Sequence, residues 1–123
     1  MKIDNIYTYL LNFGSKKTFK KMFEKCAYSG EGFAPRDTRT IEHIIPVVKG
    51  GENKFSNYLV VRRSWNMDRS DKSLDVFIKE KPEVKDNIIA AVNSKEGQII
   101  EGINWAEEVK KTLLKAIGYD IFN

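Results

Sequence analysis

The sequence predicts an α+β fold in which a two-stranded antiparallel ribbon and one helix carry a site, with several further helices around them. Three observations predict it. Two short β-rich runs, Arg39-Thr40-Ile41-Glu42 and Tyr58-Leu59-Val60-Val61, flank a loop containing Pro46, Gly50 and Gly51. Apolar residues elsewhere recur at helical spacing. The 123 residues suit one domain of ordinary size.

Taken in order, Ile3, Ile6, Tyr7, Leu10 and Leu11 predict a first helix, ended by Gly14. Ser15 caps a second, from Lys16 to Lys25, in which Phe19, Met22 and Phe23 share one face and Lys16, Lys17, Lys20 and Lys21 cover the rest. That basic face either meets phosphates or is simply solvated. Gly30, Gly32 and Pro35 make the stretch from Cys26 to Arg39 loops or a hairpin. Order resumes at Thr38, and the connection from Pro46 to Asn57 is too long for a tight turn, so it is a broad loop between the two strands.

A helix follows near Ser64 with Asn66 in its first turn. Ser73, Leu74, Val76, Phe77 and Ile78 predict another that ends before Pro82, whose ring disfavours helix in the preceding residue. Pro82 then opens a segment with Val84, Ile88, Ile89 and Val92 on one face, closed by Gly97. Asn104-Trp105-Ala106-Glu107 resembles a capping box and starts a last helix, with Val109, Leu113, Ala116 and Ile117 inward and Gly118 at its end. The organisation expected is one domain over residues 1–123, with helices in 1–25, the ribbon and its helix in 26–72, and helices in 73–123.

Hydrophobic residues make up 41% and charged residues 31%, which excludes wholesale disorder. The net charge is +4, and it is unevenly spread: residues 1–81 hold sixteen Lys/Arg against ten Asp/Glu, and residues 82–123 five against seven. Basicity therefore accompanies the ribbon, as a polyanionic partner requires. Cys26 is the single cysteine, so no intrachain disulfide forms. The first residues lack the apolar core of a signal peptide, and no run approaches a membrane span, so the expectation is a cytoplasmic protein without a membrane partner.

The one histidine, His43, follows Glu42 at the end of the first strand. Phosphodiester hydrolysis needs a base to prepare water and a cation to absorb charge on the phosphate and leaving oxygen. Mg²⁺ prefers oxygen donors and takes only one or two from protein, so the Glu42 carboxylate and the Asn66 amide oxygen suffice. Neighbours on a strand point to opposite faces, but a turn at Pro46 lets Glu42 and His43 serve one site. Ordinary histidine titrates near pH 6.5 and accepts a proton from water at neutral pH. Asn57, where the loop re-enters the second strand, suits bonding loop backbone and so holding His43.

Ile41-Glu42-His43-Ile44-Ile45-Pro46, Lys49-Gly50-Gly51, Ser56-Asn57-Tyr58-Leu59-Val60-Val61 and Arg62-Arg63-Ser64-Trp65-Asn66 together resemble the HNH endonucleases, in the HNN variant because Asn66 holds the third position. The same spacing is similar to the HNH cutting domain of RNA-guided DNA nucleases. The resemblance spans residues 24–72. It implies a ββα-metal core, metal binding by Glu42 and Asn66, His43 as general base, a supporting role for Asn57, and Mg²⁺ or Mn²⁺ as cofactor. It also implies cleavage of DNA, expected double-stranded, to 5′-phosphate and 3′-hydroxyl ends. Arg62, Arg63, Arg69, Lys72 and Lys49 are the expected phosphate contacts. A homodimer or a larger protein partner is compatible with this.

Two positions depart from the family. Most members carry Asp where this chain has Glu42. Where many hold a structural zinc with two CxxC pairs, this chain has Cys26, Ser29, Arg62 and Trp65, so no structural zinc is expected and Trp65, Phe33 and the flanking helices must pack in its place. Blander roles compete. His43 suits a packed core position, Glu42 a surface pair with Arg39 or Arg63, and Asn66 a helix cap. Trp65, Trp105 and Cys26 read as core. For the whole chain the alternatives are a nucleic-acid-binding or nuclease-inhibiting protein, and a toxin or effector nuclease.

Overall fold

The computed structural model describes residues 15–123. The helix expected over Ile3 to Leu11 lies outside the described residues. Within them the fold is α+β, with five α-helices and a two-stranded antiparallel ribbon.

The Ser15 hydroxyl accepts from the Thr18 amide at 3.2 Å and starts α1, Lys16–Lys21. The helix stops short of Lys25 because the next backbone groups pair elsewhere: Cys26 N donates to Glu31 O at 2.8 Å and Phe33 N to Glu24 O at 3.2 Å. These bonds fold residues 24–33 into a tight knuckle. Strand β1, Arg39–His43, pairs antiparallel with β2, Tyr58–Arg62, in the register Arg39 with Arg62 and His43 with Tyr58. Between them run two short 3-10 turns, Val47–Lys49 and Phe55–Asn57. Helix α2, Arg63–Arg69, leaves β2 without a break and packs on the ribbon.

Helices α3, Leu74–Glu80, and α4, Glu83–Asn93, meet at Pro82 as its ring requires. Helix α4 ends four residues ahead of Gly97. The chain then makes a hairpin absent from the sequence expectation, β3, Ile99–Ile100, against β4, Ile103–Asn104. Its two loop residues, Glu101 and Gly102, both have positive φ, 49° and 79°, which suits a primed turn matching the twist of adjoining strands. Helix α5, Trp105–Ile117, starts and ends where expected: the Asn104 side chain accepts from Glu107 N at 3.4 Å, and Gly118 is left-handed.

One apolar core joins these elements. At its centre Phe19, Phe23, Phe55, Tyr58 and Trp105 form an aromatic cluster, with Phe19 to Phe55 the closest rings at 4.9 Å. Trp105 is fully buried, and its indole N–H donates to Phe55 O at 2.9 Å, satisfying the polar atom that burial would otherwise strand. Helix α5 thereby braces the turn that leads into Asn57. Among the described residues no helix is long and apolar enough to cross a membrane.

Candidate active site

The site is held from behind by a buried guanidinium. Arg69, near the end of α2, has no exposed surface; Nε donates to Lys72 O at 2.9 Å, Nη2 to Ile44 O at 2.8 Å, and Nη1 to both His43 O at 2.8 Å and the Tyr28 hydroxyl at 3.0 Å. It thus ties helix, knuckle and the end of β1 together. Arg69 was expected to touch phosphate; burial excludes that, and its work is to fix the backbone that carries His43.

Asn57 is buried and performs the matching task from the loop side. Its Oδ1 accepts from Ile45 N at 2.9 Å, and Nδ2 donates to Ile45 O at 3.0 Å and Glu52 O at 2.9 Å. A side-chain amide here replaces the missing ladder partner just past β1. The glycines explain themselves by the same closeness: a Cβ on Gly51 would lie 1.7 Å from Ile45 O, and Gly50 has φ of 91°.

Glu42 and Asn66 meet across the ribbon and α2. Asn66 is the fourth residue of α2, not its cap, and Nδ2 donates to Glu42 Oε1 at 3.1 Å. Glu42 is 5% exposed, which rules out a surface pair with Arg39 or Arg63. Its other oxygen, Oε2, lies 3.5 Å from Arg69 Nη1 and near the Tyr28 hydroxyl, without a close hydrogen bond among the described residues. Both hydrogens of that nitrogen already serve His43 O and Tyr28. Burial therefore outweighs the nearby positive charge and raises the Glu42 carboxyl from 4.5 to about 7. Burial, then the neighbouring Glu42, likewise pushes the Tyr28 hydroxyl well above its ordinary value.

His43 is half-buried rather than in the core, and its Nε2 lies 2.8 Å from Asn53 Oδ1. Its ring stands edge-on to Tyr58, with centroids 5.2 Å apart. It lines an open groove of about 660 Å³ together with Asn66, Lys16, Lys20, Arg39 and Arg63. Among the described residues no acidic side chain lines it, and the buried Glu42 is not part of its lining. Arg39 is held in place by Lys20 O at 2.9 Å, by Phe23 O, and by the face of Phe33 at 4.2 Å. A more enclosed cleft of about 500 Å³ lies between the knuckle and α4 and contains none of these site residues.

The expected phosphate contacts therefore divide. Arg63 lines the groove, and Lys49 is exposed on the loop. Lys72 pairs with Glu80 at 2.8 Å. Arg62 is turned the other way, donating to Gly32 O at 2.7 Å and pairing with Asp37 at 3.2 Å and Glu31 at 3.7 Å. Sequence reasoning missed Arg39 and Asn53 as site residues, and left Lys16 and Lys20 undecided.

At the four positions compared with the zinc-bound knuckle, Cys26 Sγ accepts from Ser29 N at 3.4 Å and from Arg62 N at 3.3 Å. Arg62 clamps the knuckle by charge, and Trp65 packs between Phe77 and the Lys81 ammonium. Cation and ring contacts thus bridge these segments. No group of three or more His, Cys, Asp or Glu capable of holding a metal occurs among the described residues. Compared with family models, curated proteins and solved structures, the chain matches none.

Proposed function

We propose that the chain is a metal-dependent endonuclease of the HNH type, in which β1, β2 and α2 form a ββα-metal core that cuts DNA. The observation that carries the reading is the meeting of Glu42 with Asn66 at 3.1 Å, one residue from a half-exposed histidine on a groove walled by four cationic side chains. Glu42 is buried, yet Oε1 rests on a neutral amide that can turn to offer its own oxygen to a cation.

The donor set fits a hard divalent ion. Glu42 Oε1 lies against the Asn66 amide, and rotation of that amide about its last bond presents Oδ1 beside the same oxygen, so a cation would take Oε1 and Oδ1. Bound there, Mg²⁺ or Mn²⁺ would supply positive charge for the phosphate and the departing oxygen. His43 takes a proton from water as the water oxygen bonds to phosphorus; the bond from phosphorus to the 3′-oxygen breaks, and that oxygen gains a proton from solvent. The ends are a 5′-phosphate and a 3′-hydroxyl. Lys16, Lys20, Arg39 and Arg63 hold the phosphates on either side of the cut.

The test is conversion of supercoiled plasmid to open circles with Mg²⁺ or Mn²⁺, with a chelator as control. Cutting should require metal and be lost in His43→Ala with the fold intact. No cutting in either metal overturns the reading. Arg69 beside Glu42 favours one other reading, a basic DNA-binding domain that does not cut, because arginine already supplies charge to the acid. That reading expects retention of plasmid without nicking, unchanged in His43→Ala.

A further inference from the structure

We propose that Asn53 is a positioning residue for His43: it fixes the ring with its proton on Nε2 and leaves Nδ1 as the nitrogen that faces the groove and accepts the proton of water. The role of Nδ1 rests on the nuclease reading; the proton's position does not.

The chemistry of the pair dictates the tautomer. An amide oxygen can only accept a hydrogen bond, so the 2.8 Å contact between Asn53 Oδ1 and Nε2 requires a proton on Nε2. In a neutral imidazole the second nitrogen then carries the lone pair. Nδ1 has no hydrogen-bond partner among the described residues, and the ring lines the open groove. Were the Asn53 amide turned over, its Nδ2 would occupy the Nε2 lone pair and Nδ1 would hold the proton, leaving no base toward the groove.

The loop does not need this side chain for its own closure. Asn57 takes the backbone groups of Ile45 and Glu52, and Gly51 N donates to Pro46 O at 3.0 Å. The Asn53 amide makes no other hydrogen bond among the described residues and is exposed. Its one partner is His43. Arg69 holds the His43 carbonyl, Asn57 holds the backbone of Ile45 two residues on, and Tyr58 meets the ring edge-on, so rotation of the ring is the freedom Asn53 removes.

Because the chain has a single histidine, long-range proton-nitrogen correlation of uniformly ¹⁵N-labelled protein reads this ring without assignment. With the ring neutral, the wild type should show Nε2 protonated, Nδ1 bare, and an observable Hε2 signal. Asn53→Ala should lose that signal and average the two nitrogens, and Asn53→Asp should restore both features. In the nicking assay Asn53→Ala should lower kcat about 10- to 100-fold with KM little changed, the usual loss when a partner orienting an imidazole at a metal site is removed, with partial recovery in Asn53→Asp. A wild-type ring protonated on Nδ1, or spectra unaltered in Asn53→Ala, overturns the proposal. Lost Hε2 with unchanged kcat overturns the positioning role. If the wild type does not nick in either metal, the nuclease reading fails and the role in cutting with it, while the spectra still decide the tautomer.

Discussion

Asn66 Nδ2 lies 3.1 Å from Glu42 Oε1, joining the first turns of α2 to the end of β1, 24 residues earlier in the chain. On the proposed reading a cation would sit at this contact. The contact also fixes a buried acid whose second oxygen faces the Arg69 guanidinium and the Tyr28 hydroxyl.

That acid makes stability depend on pH. Glu42 titrates at about 7 when folded against an ordinary 4.5, so between these values the native state binds more protons than the unfolded chain, and stability falls as pH rises through the window. At about 1.36 kcal/mol per pH unit, the loss is about 3 kcal/mol and is complete above pH 7 to 8. Urea unfolding at pH 5, 6, 7 and 8 should show this slope in the wild type and lack it in Glu42→Gln. Divalent ions compete with the proton, so their stabilising effect should grow across the same window.

Arg69→Ala should cost about 3–5 kcal/mol and lower the thermal midpoint steeply, because it strands the carbonyls of His43 and Ile44 and leaves Glu42 without its neighbouring charge. If Arg69 served phosphate instead, the change would weaken DNA binding and spare the midpoint. Circular dichroism melting separates the two.

Gly50 and Gly51 should respond differently to alanine. Gly50→Ala meets open space and pays only for its left-handed backbone, about 1–2 kcal/mol. Gly51→Ala drives a methyl into Ile45 O and against the Asn57 amide, so it should lose clearly more stability and displace the loop. Unfolding midpoints and amide spectra of residues 45–57 check both.

Lys16, Lys20 and Arg63 should govern DNA affinity. Changing each to Gln should weaken duplex binding at low salt and flatten the dependence of log K on log salt by about 0.9 for each phosphate that is no longer neutralised. Arg62→Gln should instead lower stability, through the released knuckle, and leave that slope unchanged.

The ribbon, its broad loop and α5 were legible because local signals agree there: β-branched runs, Gly50 and Gly51 in the loop, and an Asn104 cap with Gly118 as stop. The pairing of Glu42 with Asn66 was legible only as a spacing of residue types, and the burial of Glu42 was not legible at all. Arg69 illustrates why. Its position beside Asn66 suggests phosphate, but whether an arginine faces water or four buried acceptors depends on Tyr28, in a knuckle 41 residues away. The short end of α1 has the same origin, since pairing of residues 24–26 with 31–33 overrides helical periodicity. The Glu101-Gly102 hairpin did carry a local signal, a glycine at the second turn position between Ile99-Ile100 and Ile103, and could have been read.

Titration of the protein with Mn²⁺ at pH 8, followed by electron paramagnetic resonance of the free ion, tests the convergence of Glu42 and Asn66 most directly. One saturable site per chain should appear in the wild type and in His43→Ala, and weaken by about tenfold or more in Glu42→Gln and in Asn66→Ala. No saturable site in the wild type, or a site that persists unchanged in both variants, would contradict the account.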